Sequence, residues 1–177
     1  MTQQEHKTSL VRTLSEGLTK GHAHATLEQA LKGLPADLRG VVPKGLPYSI
    51  WQLVEHIRIT QWDIVEFSIN PDHVSPDWPE GYWPKEHEPK SEKAWTDSLH
   101  KINSDRETFV DLLRKDDVDL YTPFPHGDGQ TLLREAILLI DHNSYHVAEI
   151  IILRRLLGAW HSKRPRTDID CVEKWVD

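Results

Sequence analysis

A chain of 177 residues, 28% of them charged, is long enough for one domain with a self-sufficient core and too short for two ordinary ones. Its net charge of −7 gives no electrostatic reason to approach nucleic acid or an anionic membrane, since a phosphate-binding surface carries a basic excess. The single cysteine, Cys171, excludes an intrachain disulfide and with it the cysteine-rich secreted class.

The opening MTQQEHKTSLVRT lacks the basic-then-apolar order of a signal peptide. The most apolar stretch, Ala136 to Trp160, is interrupted by Asp141, His142, Glu149, Arg154 and Arg155. A cytoplasmic location without a membrane span is therefore expected. Leu10, Val11, Leu14 and Leu18 recur at helical spacing and predict a first amphipathic helix from Gln4 to about Thr19, ending near Gly21. Thr26 with Gln29 three residues on has the form of a capping box, so a second helical piece starts there after a break at Lys20 to His24. Pro35 stops it, and the proline- and glycine-bearing run to Pro47 is a loop.

Ser49 suits the N-cap of a long helix whose apolar stripe, Ile50, Leu53, Val54, Ile57, Ile64 and Phe67, runs to about Ile69. Between Asn70 and Pro89, five prolines exclude a helix over most of the span. Its Trp78, Tyr82 and Trp83 suggest a crossover loop packed over the bundle as a lid or flap. Trp95, Leu99, Ile102, Phe109, Leu112 and Leu113 set the next helix, from Ser91 to Arg114. After the turn chemistry of KDDVDLYTPFPHGDGQT, a last helix begins at Thr131 and is apolar on more than one side. That width exceeds one core face, so part of it is expected to meet a second copy in a homodimer. The reading is all-α: a four-helix bundle with one long crossover loop, one domain over residues 1–160 and a C-terminal tail over 161–177.

His142 and His146 stand four apart on the last helix, one turn above each other on one face. Two imidazoles so placed make half of a metal site, and the apolar neighbours Leu138, Leu139, Ile150 and Leu153 place them in or beside the interior. The plainer reading is that each ring is hydrogen-bonded and holds nothing. A third ligand must come from another helix, and His56, on the apolar helix that Ser49 opens, is the natural candidate. Asn143 stands where a helical zinc protease needs glutamate, so peptidase chemistry loses its base. Glu55-His56 is not the Glu-x-x-His of a carboxylate-bridged di-iron site. Asp141 and Glu149 could orient an imidazole, and Glu149 could serve as a base. His126, before the Gly-Asp-Gly turn at the mouth of the last helix, is a further catalytic candidate, with His22 and His24 as weaker ones. His6, His73, His87, His100 and His161 read as surface residues, and Trp51 as core.

Three segments, WQLVEH at 51–56, HGDGQT at 126–131 and DHNSYH at 141–146, together resemble the DinB-like or YfiT-like metalloproteins over roughly Thr8 to Trp160. The resemblance implies an up-down-down-up four-helix bundle, often dimeric, with a divalent metal, zinc or nickel foremost, on the positions of His56, His142 and His146. It also implies a small-molecule substrate. Relatives include transferases and isomerases that use a low-molecular-weight thiol, bacillithiol or mycothiol, and others described as metal-dependent hydrolases. The competing expectation is a bundle that a metal merely stabilises, or that binds a small ligand without catalysis.

Overall fold

The structure, a computed structural model, describes residues 2–160. The expected tail, with Cys171, His161 and Trp175, lies outside the described residues. Five α-helices follow in order: α1 (Gln3–Lys20), α2 (Leu27–Leu31), α3 (Ile50–Ile69), α4 (Glu92–Leu113) and α5 (Leu132–Leu156). Among the described residues the sole strand-like feature is an isolated bridge between Pro123 and Thr131.

The helix ends follow local chemistry. Thr2, Thr26 and Ser49 each accept a backbone N–H three residues on, and Glu5, Gln29 and Gln52 return the bond to complete capping boxes. Ser91 and Thr131 cap α4 and α5 in the same way without the return bond. Gly21 stops α1 in a left-handed conformation (φ 68°), which costs glycine nothing. The last helix ends at Leu156, four residues short of Trp160, where Gly158 turns left-handed (φ 70°).

Cross-helix contacts fix the topology. Glu55 meets Ser98, and Gln61 meets the Ile102 carbonyl, so α3 and α4 run parallel. His56 meets His142, and the Phe67 carbonyl meets His126 before α5, so α3 and α5 are antiparallel. Gly17 lies against Ile140, and His24 against Ser144, so α1 and α5 are parallel. The order is up-down-down-up, and the parallel α3–α4 pair demands a connection as long as a helix. Residues 70–91 supply it by returning along the side of α3.

Two apolar clusters fill the bundle. One gathers Ile50, Leu53, Val54, Ile57, Trp51 and Trp95 with Val147, Ile150 and Leu153. The other gathers Val65, Phe109, Leu113, Leu132, Ala136 and Leu139. Trp51 is core, stacked obliquely on Trp95. By length and composition α5 could cross a membrane, yet its Glu135, His146 and Arg154 are buried inside the bundle. Arg154, near the end of α5, is interior: it donates to the carbonyls of Ala30, Lys32 and Ala159 and so ties α2 to the end of α5.

Ser49 does two jobs, because its Oγ accepts from Gln52 N and donates to the His87 carbonyl of the crossover loop. Ser49→Ala is expected to lower stability by about 1–2 kcal/mol in urea unfolding. A change too small to resolve would show that neither bond matters.

Candidate metal centre

Helical spacing puts His142 and His146 on one face of α5, and the antiparallel approach of α3 brings His56 to the same depth. One potential ligand atom from each of the three lies within 4.8 Å of the other two. The Nε2 atoms of His56 and His142 are 3.1 Å apart. Two nitrogens that share one ion at roughly 2.0–2.1 Å with tetrahedral angles stand about 3.3 Å apart, so this pair already has the spacing of joint ligands. His56 and His146 are buried and His142 is half-buried.

What faces the common point is decided by what holds the other side of each ring. The Nδ1 of His56 lies 3.0 Å from the main-chain carbonyl of Tyr82. A carbonyl can only accept, so that nitrogen carries the proton and Nε2 is left as a lone pair. For His146 the partner is a carboxylate oxygen of Glu149 at 2.7 Å, whose other oxygen accepts from the Tyr48 hydroxyl.

For His142 the logic runs through three residues. The Ile102 carbonyl accepts from Gln61 Nε2, which leaves Gln61 Oε1 to accept from Asn143 Nδ2 at 3.0 Å. Asn143 Oδ1 therefore faces His142 Nδ1 at 3.4 Å and fixes its proton there. Each anchor ends in a group that only accepts, so three Nε2 lone pairs converge in a partly dry space. Lone pairs so close repel unless a cation stands between them, and three imidazole nitrogens with outer partners in place are a donor set that could hold a metal ion.

Electrostatics keeps the rings in the ligating form. Burial, then the neighbouring His146 and His56, pulls the His142 pKa down to about 4. Burial likewise lowers that of His56. Both rings are neutral at pH 7.

Aromatic rings close the flank. Trp83 lies flat on His56, with centroids 4.0 Å apart and planes 5° apart, and Tyr48 stacks on Trp83 at 5.6 Å. The expected lid is thus real at Tyr82 and Trp83, whereas Trp78 points outward, 73% exposed.

The DinB superfamily profile matches residues 21–150, which include all three histidines and their anchors. The chain belongs to the DinB superfamily. No curated protein and no solved structure matches it.

The DinB bundle does not bring the other candidates to this point. His126 is exposed, bonds the Phe67 carbonyl at 2.9 Å and packs on Phe67 and Phe124, three turns of α3, roughly 16 Å, beyond His56. His24 bonds Ser144, which faces away from the helix side shared by His142 and His146. His22, just past the end of α1, reaches back to the Thr13 carbonyl of that helix. Asp141 is exposed, and Glu149 stands behind His146 with both oxygens engaged. The sequence pointed neither to Tyr48 and Gln61 nor to the roles of the Tyr82 carbonyl toward His56 and of Asn143 toward His142. It also placed His73 on the surface, whereas the His73 ring is buried against Asp63.

Glu149→Gln and Tyr48→Phe are expected to weaken zinc affinity, the former about 10–100-fold, by loosening the anchor of His146; calorimetric titration reads this, and equal affinities would contradict it. A second outcome follows from His142. Its folded pKa lies below the ordinary 6.5, so as pH falls from 6.5 to about 4 the unfolded chain takes the proton first. The metal-free protein should lose stability across that window, and His142→Gln should flatten part of the slope in a melting-temperature series.

Proposed function

We propose that this DinB protein is an enzyme that holds one divalent cation, zinc or nickel, on the Nε2 atoms of His56, His142 and His146 and uses it for thiol-dependent transfer to a small-molecule substrate. When bound, the cation acidifies a thiol or water that joins it, giving a nucleophile at neutral pH. The observation that carries the choice of nucleophile is the engagement of Glu149, whose two oxygens are taken by Tyr48 and His146. A carboxylate so held orients a ligand and is not free to pull a proton from water. A thiol, with an ordinary pKa of about 8.5, ionises beside a cation without such help.

The residues around the cluster then have defined work. Tyr82 and Glu149 hold the rings of His56 and His146, and Gln61 acts on His142 through Asn143. Trp83 shields His56 from water, and the half-exposed side of His142 leaves an approach for a ligand. Hydrolysis is the second reading; it requires Glu149 to leave Tyr48 or His146 and accept a proton. A bundle that the cation only stabilises is the third.

Purified protein loaded with cobalt(II) and titrated with cysteine or glutathione tests the choice. Thiol transfer predicts a saturable thiolate-to-cobalt charge-transfer band that is lost in His142→Ala. Ester hydrolysis without such a band favours the second reading, and neither signal favours the third.

A homodimer is proposed from the outer face of α5. Ile137, Tyr145, Ile152 and Leu156 are all more than half exposed and recur at spacings of three to four or multiples of it. Only a third of the helix's most apolar window is buried. A second copy against this stripe would form an isologous contact. Ile152→Glu should convert a dimer to a monomer in light scattering; a wild-type monomer contradicts the proposal. The cytoplasm, where small thiols stay reduced, is the location that suits this chemistry.

A further inference from the structure

The crossover loop is fastened to α3 at a second place, two turns beyond His56, that the ligands do not touch. Asp63 stands seven residues after His56, on the same side of the helix. Its Oδ2 accepts the Tyr82 hydroxyl at 2.6 Å, and its Oδ1 meets His73 Nε2 at 2.8 Å. All three side chains are buried or nearly so, and the His73 ring packs edge-on against Trp62 at 5.2 Å.

Tyr82 is thereby gripped at both ends by one helix. Its hydroxyl is on Asp63, and its main-chain carbonyl is on His56 Nδ1. The next residue, Trp83, lies on the face of the same imidazole. Two restraints on His56 therefore come from one dipeptide, and the depth at which that dipeptide sits is set by a directional bond to a buried carboxylate. A ligand has to be held within about 0.5 Å of its working place, so the grip on Tyr82 bears directly on His56.

We propose that Asp63, with His73, is a positioning residue for the metal centre. It acts through Tyr82, fixing the carbonyl that sets the His56 tautomer and the Trp83 ring that covers it. This rests on the reading of the three histidines as metal ligands.

The test compares Tyr82→Phe, Asp63→Ala and Asp63→Asn with Val65→Ala, a buried change on the same helix that leaves the loop alone. Zinc affinity is measured by competition with a chromophoric chelator, at a temperature where circular dichroism shows every variant folded. Ring nitrogen chemical shifts of His56 are recorded in the metal-free proteins. Tyr82→Phe and Asp63→Ala should weaken zinc binding about 10-fold or more and move His56 toward the Nε2–H tautomer. Asp63→Asn, whose amide oxygen still accepts from Tyr82, should keep most of the affinity. Val65→Ala should lose stability alone. Variants that melt earlier but bind zinc like the wild type, with His56 unchanged, would overturn the inference and leave the metal reading intact. A wild-type protein that takes up no zinc or nickel overturns both.

Discussion

The molecule is organised around a conflict between like groups. His56, His142 and His146 each donate through Nδ1 to something that cannot donate back: a main-chain carbonyl, a side-chain amide oxygen and a carboxylate. Their Nε2 lone pairs are left facing one another, two of them at 3.1 Å. A hydrogen-bonded core would have turned one ring to donate to its neighbour. Here that option is blocked three times over, most tellingly for His142, where the blocking begins at a carbonyl of α4 and passes through Gln61 and Asn143. A cation is what such an arrangement accommodates.

That arrangement accounts for several features of the fold. Parallel α3 and α4 require a helix-length crossover, and the crossover delivers the Tyr82 carbonyl and the Trp83 ring to His56 on its way. The same loop is stitched to α3 near its start by His73 and Asp63 and near its end by His87, Ser49 and Gln52. The connection is thus a wall of the site as well as a link. Glu149 serves likewise: in sequence it looks like a free base, and in space it is the strut between Tyr48 and His146.

Much of this could be read from the chain. Caps at Thr26 and Ser49, the turn residues before Thr131, the prolines after residue 70 and the apolar periods indicated element order and type, and the four-residue step from His142 to His146 pointed to one face. His56 needed only a second helix at matching depth. The anchors were less legible, because a main-chain carbonyl such as that of Tyr82 has no residue signature and the partner of Asn143 comes from α3, 82 positions away in sequence. His73 misled because its sequence neighbours are polar while its partner, Asp63, sits on an apolar helix. Arg154 was no more legible: a basic residue near a helix end suits the dipole, yet here it reaches inward to cap α2. His126 had the local sequence of a site residue, and only the packing of Phe67 and Phe124 shows it at the other end of α3.

The most direct measurement is anomalous diffraction at a metal edge from crystals of the protein grown with zinc or nickel. The account predicts one peak per chain, roughly 2.0–2.1 Å from the Nε2 atoms of His56, His142 and His146, with each Nδ1 still on its present partner. Absence of a peak there, with one imidazole turned so that its N–H donates to another ring, would contradict it.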